Sequence, residues 1–254
     1  MKRSITFLIA AVWMLQGACG AGKLPNFVML GDGTMADYAN IESSSVRGWG
    51  QVFPTYLTNM NVVNLAQTGL STKALVEEGV LDSLLMPFGK RDILLIQFGQ
   101  NDRRDTNEAQ YSSVDAMIQH LLTIIETAKE KKMHVILCTP LAEPFFVDGR
   151  WIDRMGAYPQ AVRNVAKYAE VPLVDLEMMS RHWMERRGAE DMKSYYVDLN
   201  TEESPESEYL LNEAGALVIG KMAVAGLKAS NLNYMNKSLV LRGSAKPKYT
   251  TKQQ

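Results

Sequence analysis

Five short, almost wholly apolar runs restrict the fold of this chain more than any other feature. They are residues 26–30, closed by Gly31; 62–65; 92–98; 134–138, stopped by Thr139-Pro140; and 171–175. A strand that is apolar throughout is covered on both faces. Between the third and fourth runs, Val114, Met117, Ile118, Leu121, Ile125 and Ala128 recur at helical spacing, with Glu126, Lys129 and Glu130 mostly off that stripe. Further helices are predicted over 158–170, 176–187 and 213–229. Strands joined by helices imply a parallel sheet. The expected fold is therefore α/β, a three-layer α/β/α sandwich with a five-strand parallel sheet, occupying one domain over 24–230.

Composition narrows the function classes. Hydrophobic residues make up 46% and charged residues 22%, an ordinary globular balance. A formal net charge of −1 gives no basic surface for displacing counterions, so nucleic acid is not an expected partner. Only Cys19 and Cys138 occur, which excludes a disulfide framework, and Cys138 reads as a small core residue. No cluster with metal-ligand spacing and no complete dinucleotide loop is present in the sequence, so no metal or cofactor is expected.

At the N-terminus, Lys2 and Arg3 precede an apolar run over 5–15, followed by small residues over 17–22. This is the pattern of a secretory leader, placed at 1–19. It is shorter than the roughly 20 residues that span a bilayer. Cys19 stands where a bacterial lipoprotein carries its lipid, while Gln16 occupies a place usually aliphatic; lipidation and plain cleavage both remain open. The expected location is exported: periplasmic, outer-membrane lipoprotein or extracellular, with membrane contact only through a lipid on Cys19. Residues 231–254 read as a polar, loose tail.

In a parallel sheet of this kind, ligands bind beyond the carboxyl ends of the strands. The residues there are Gly31-Asp32-Gly33-Thr34, Ala66-Gln67-Thr68-Gly69 and Gly99-Gln100-Asn101-Asp102. Together with Gly48-Trp49-Gly50, Asn64-Leu65-Ala66 and Leu211-Asn212-Glu213-Ala214-Gly215-Ala216, they make a pattern that resembles the SGNH (GDSL-type) hydrolases. The similarity is to the rhamnogalacturonan acetylesterase-like branch, and order and spacing agree from about residue 26 to 229. The resemblance implies a flavodoxin-like sheet and a serine esterase acting on a carbohydrate ester. It implies a nucleophilic Ser directly after Gly-Asp and a late Asp-x-x-His for the base. It also implies an oxyanion hole of two backbone N–H groups and an Asn side chain.

The chain departs from that pattern at the triad. The nucleophile position is Gly33, the His position is Leu210 and the Asp position is Ser207. The implied oxyanion donors Gly33, Gly69 and Asn101 are kept, supported by Asp32, Thr34 and Gln100; Gln100 stands where the family often has His and cannot shuttle a proton. The expectation is a catalytically degenerate esterase relative that binds an acetylated or acidic carbohydrate. The alternative is an active carbohydrate O-acetylesterase, on rhamnogalacturonan, pectin or xylan, with relocated catalytic residues.

Other candidates carry structural expectations. Thr34 is expected to cap a following helix, Asp32 to hold a turn, and Asp102 to pair with Arg103 and Arg104. His120 and His134 read as structural and His182 as a helix-surface residue. Trp49 and Phe145-Phe146 are expected to pack, while Trp151 is the aromatic expected at a cleft rim.

Overall fold

The computed structural model describes residues 24–39, 45–104, 106–197, 209–230 and 232. The leader at 1–19 with Cys19, the triad position Ser207, and the tail apart from Leu232 lie outside the described residues. Five strands form the main sheet: β1 (Asn26–Gly31), β2 (Asn61–Asn64), β3 (Ile93–Gln97), β4 (His134–Cys138) and, after a small ribbon, β7 (Leu173–Val174). The ribbon pairs β5 (Phe146–Val147) with β6 (Arg150–Trp151). In the main sheet the order is β2-β1-β3-β4-β7 and every pair is parallel.

The helices are α1 (Trp49–Val52), α2 (Thr72–Glu77), α3 (Leu81–Leu85), α4 (Val114–Glu130), α5 (Tyr158–Tyr168), α6 (Leu176–Met192) and α7 (Glu213–Ala229). Alternation along each strand divides the core between the two faces. Phe27, Met29, Ile93, Leu95, Ile136 and Cys138 pack with α1, α6 and α7. Their neighbours Val28, Leu30, Leu94, Ile96, Val135 and Leu137 pack with α2 to α5. This is the three-layer sandwich that the doubly apolar strands require. Burial also pushes the Cys138 thiol well above its usual range, so it stays neutral.

Local chemistry sets the ends of the helices. Ser71, Ser113, Asp175 and Asn212 accept backbone N–H bonds at the starts of α2, α4, α6 and α7. Asn212 of the Leu-Asn-Glu stretch is therefore a helix cap. At Gly188 the backbone turns to φ 80°, ψ 171°, breaking α6 where the helix was predicted to end. The strand predicted over 171–175 is only Leu173–Val174; Pro172 lacks the N–H a ladder needs. Leu232, inside the stretch predicted to be loose, is 5% exposed and joins the core.

The strand order changes direction between β1 and β3, because β2 lies on one side of β1 and β3 on the other. A crevice opens at that point, between the loops leaving the two strands. A buried hydrogen-bond chain fixes the first loop. Gln97, paired with Gly31 across the sheet, accepts from Trp49 Nε1 at 2.7 Å and donates to Thr34 Oγ1 at 2.9 Å. Thr34 Oγ1 in turn donates to Asp32 Oδ1 at 2.7 Å. Trp49 N bonds Thr34 O at 3.0 Å, and Asn64 Nδ2 bonds Met35 O at 2.9 Å.

Gln97 is fully buried, so removing its amide leaves the Trp49 N–H without an acceptor and the Thr34 oxygen without a donor. Gln97→Leu is expected to cost about 2–4 kcal/mol in urea unfolding with an unchanged denaturant slope. A loss below about 0.5 kcal/mol, the size of a neutral surface substitution, would show that the chain of bonds does not hold the loop.

Candidate functional site

At the switch point lies a small, partly open cleft. The β1 loop contributes Asp32, Gly33 and Thr34; the β2 loop contributes Gly69; the β3 loop contributes Gln100, Asn101 and Arg104. Tyr209 and Leu210, just ahead of α7, close the remaining side. The structure thus brings Gly33, Gly69, Asn101, Asp32, Thr34, Gln100 and Leu210 to one place.

At Gly33 there is no side chain, and the space is partly taken. A Cβ built there would lie 3.0 Å from the hydroxyl of Tyr38. That hydroxyl donates to Gly33 O at 2.9 Å and accepts from Thr68 Oγ1 at 3.0 Å. Leu210 places an apolar side chain where the family pattern has its base. Neither Lys nor His lines the cleft among the described residues. At Gly69 φ is +77°, a conformation that favours glycine, and a Cβ there would meet Gln110 Nε2 at 2.9 Å.

The supporting residues are committed to the scaffold. Asn101 Nδ2 donates to Leu70 O at 2.9 Å, which fixes the amide and leaves its second N–H unspent. Gln100 Nε2 donates away from the cleft, to Leu141 O at 3.0 Å. Thr34 caps no helix, because a turn over residues 33–35 follows β1; its hydroxyl serves Asp32 and Gln97 instead. Asp32 holds the turn as expected, Oδ1 accepting also from Thr34 N at 3.0 Å.

Asp102 does not pair with the arginines that follow it. Its Oδ1 accepts from Thr72 N at 3.0 Å and from the Thr72 hydroxyl, tying the β3 loop to α2. Arg103 reaches Glu143 instead, and Arg154 Nε lies 3.7 Å from the other oxygen of that carboxylate. His120 Nδ1 sits 3.2 Å from Thr72 Oγ1 and Nε2 3.4 Å from Glu77, a bridge between α4 and α2. His182 is exposed on α6, 3.9 Å from Glu185. Trp49 and Phe146 are buried and Trp151 donates Nε1 to Glu143 O at 2.8 Å, so these three rings pack into the scaffold.

Arg104, expected from the sequence as a loop partner of Asp102, lines the cleft instead, and Tyr209 has no counterpart among the sequence-based site residues. Tyr209 is placed by Arg154, whose NH1 donates to the phenol oxygen at 3.1 Å while its guanidinium stacks on Phe145 at 4.7 Å. Neither contact leaves a signal in sequence spacing.

Burial dominates the electrostatics. It pushes the Asp32 carboxyl up to about 6, against the pull of its side-chain and backbone bonds to Thr34, and the Asp102 carboxyl raises it further. Burial likewise raises Asp102, opposed by the Thr72 bonds, and raises the Tyr209 phenol. Asp32 Oδ2 and Asp102 Oδ2 are both buried without a partner among the described residues.

Comparison with known proteins agrees with this fold. The model of the GDSL-like lipase/acylhydrolase family matches residues 29–210. Rhamnogalacturonan acetylesterase RhgT of Bacillus subtilis (strain 168) is 32% identical over 219 residues, covering 83% of this chain and 93% of its own. The crystal structure of YxiM from Bacillus subtilis superposes with a TM-score of 0.71 at 24% identity; the match covers 83% of this chain and 58% of that one. Acetylxylan esterase Axe2 from Geobacillus stearothermophilus gives a TM-score of 0.56 at 17% identity, covering 81% and 95%. These two solved structures share the SGNH α/β hydrolase fold.

A carboxyl raised on folding binds its proton more tightly in the native state, so it favours folding below its unfolded pKa and loses that advantage as pH rises through its folded one. For Asp32 the window runs from 3.8 to about 6. Asp32→Asn is expected to flatten the fall in unfolding free energy between pH 4 and pH 7, by about 3 kcal/mol at most. An identical pH profile for wild type and Asp32→Asn in urea titrations would contradict the raised carboxyl.

Proposed function

Since the chain belongs to the GDSL-like lipase/acylhydrolase family, we propose that its cleft binds an acetylated or acidic carbohydrate without the serine-based chemistry of that family. The observation carrying this reading is that Gly33 and Leu210 line the same cleft, leaving it neither hydroxyl nor base at those two positions. Acyl transfer needs an activated nucleophile and a proton acceptor within hydrogen-bond reach. Of the nearby hydroxyls, Thr34 donates to Asp32, Tyr38 to the Gly33 carbonyl and Thr68 to Tyr38, while burial raises the Tyr209 phenol and keeps it protonated. What persists is the set of donors that in an esterase would face the developing oxyanion. Donors and binding alone supply about 10³–10⁴-fold over water in triad-deleted enzymes.

A second reading has its own support. The 32% identical relative is named a rhamnogalacturonan acetylesterase, which favours an active carbohydrate O-acetylesterase over a binding protein. That reading requires a nucleophile and base outside the positions the family pattern assigns. Export belongs to both readings and rests on the leader sequence at 1–19, with a lipid on Cys19 as one form of it.

Assay of the mature protein on acetylated pectin, acetylated xylan and an aryl acetate separates the two. The binding reading expects no turnover above about 10⁻² s⁻¹, far below the ordinary enzyme range near 10 s⁻¹, and saturable binding of the carbohydrate by calorimetry. Turnover of about 1 s⁻¹ or faster establishes the esterase. Gly33→Ser alone is expected to gain no activity, because Leu210 offers nothing to take the proton and Tyr38 must shift to admit the side chain. An active Gly33→Ser variant would place a base in the cleft that this reading denies.

A further inference from the structure

The cleft is unbalanced toward hydrogen-bond donors. Gly33 N and Gly69 N belong to lining residues and have no acceptor among the described residues. Asn101 keeps its second amide N–H after bonding Leu70 O. Tyr209 Oη accepts from Arg154, so its own phenol proton is free to donate, and its burial keeps that proton in place. Arg104, which has a partner of its own, brings a guanidinium with further N–H groups to the same lining. Acceptors are fewer, and the amide oxygens of Asn101 and Gln100 on the lining are neutral. Thr34 Oγ1 already donates once and accepts once, and Asp32 Oδ1 takes two bonds. Asp32 Oδ2 is shut away from solvent.

A neutral ester brings one good acceptor, its carbonyl oxygen. A carboxylate brings two oxygens with about four lone-pair sites and a full negative charge. Hydrogen bonds to an ionised acceptor are roughly twice as strong as those to a neutral one. Arginine adds a planar fork that matches the carboxylate edge. With no hydroxyl at residue 33, no attacking atom has to be accommodated beside the carbonyl carbon, and both oxygens can lie among the donors.

Building on the cleft-binding reading above, we propose that the occupant is a free carboxylate rather than an ester. The donors are Gly33 N, Gly69 N, Asn101 Nδ2 and Tyr209 Oη, with Arg104 supplying the charge. Leu210 faces the apolar part of the ligand. The acid belongs to one of two sources, a uronate residue of a carbohydrate or a small aliphatic acid, and the chemistry of recognition is shared.

The test is a calorimetric or NMR titration of the full mature chain with sodium acetate, sodium glucuronate, acetamide, methyl glucoside and an acetylated xylo-oligosaccharide. Saturable binding of at least one carboxylate is expected, with acetamide and methyl glucoside at least about tenfold weaker. Glucuronate binding better than acetate assigns the sugar acid, and the reverse assigns the small acid. Arg104→Gln and Tyr209→Phe are each expected to weaken the carboxylate about tenfold and acetamide by a smaller factor, and an equal loss for both ligands would contradict recognition of the charge. If Arg104→Gln fails to fold, Tyr209→Phe carries the comparison alone. Acetamide matching acetate, or the acetylated oligosaccharide binding where no carboxylate does, overturns the carboxylate assignment and leaves carbohydrate binding in place. No response to any of the five ligands overturns both.

Discussion

The bond from Gln97 to Thr34 is the contact on which the cleft depends. Gln97 ends a central strand, beside Gly31 at the end of its neighbour. Its amide joins the turn at Asp32 to the buried Trp49 indole. Through it the loop carrying Gly33 is held by the sheet rather than by solvent-exposed contacts. A hydrogen-bonded polar chain in a water-excluded core favours one geometry, since each misplaced member leaves a further buried group unpaired. The same interior that makes those bonds strict also raises the Asp32 carboxyl.

From that fixed loop the rest of the site follows. Asn64 and Trp49 hold the far end of the turn, so Gly33 N stays at the cleft. Asp102 ties the opposite loop to α2 through Thr72, which steadies Asn101 from behind. Arg154 fixes Tyr209 from the third side. Three sides of the cleft are thus held by buried or ion-paired contacts, around Gly33 and Leu210, whose side chains offer neither nucleophile nor base. Preorganised donors serve a bound anion as well as a transient one, and that equivalence underlies the ligand assignment.

Much of this was legible from residue pattern. Each of the five apolar runs contains a strand, because burial on both faces leaves a continuous signal. The short helices α1, α2 and α3 escaped, being too brief for a 3.6-residue period to register. The ribbon β5–β6 escaped for a similar reason, with two residues in each strand. At the cleft, Gly33, Gly69 and Asn101 follow strand ends and Leu210 precedes α7 at a place the family pattern assigns, and all four line it. Thr34 and Asp102 were misassigned. Their partners, Gln97 and Thr72, lie 63 and 30 residues away, and no local rule selects them. The cleft-lining places of Arg104 and Tyr209 left no signal, because they depend on how distant loops converge.

The central claim is that this cleft retains the donors of an esterase and lacks an activated nucleophile. Intact-mass spectrometry after exposure to an excess of a fluorophosphonate tests it most directly, since such a reagent is captured by a hydroxyl whose proton a neighbouring base removes. The account predicts an unchanged mass. A stoichiometric adduct mapping to Thr34, Tyr38, Thr68 or any other hydroxyl at the carboxyl edge of the sheet would contradict it.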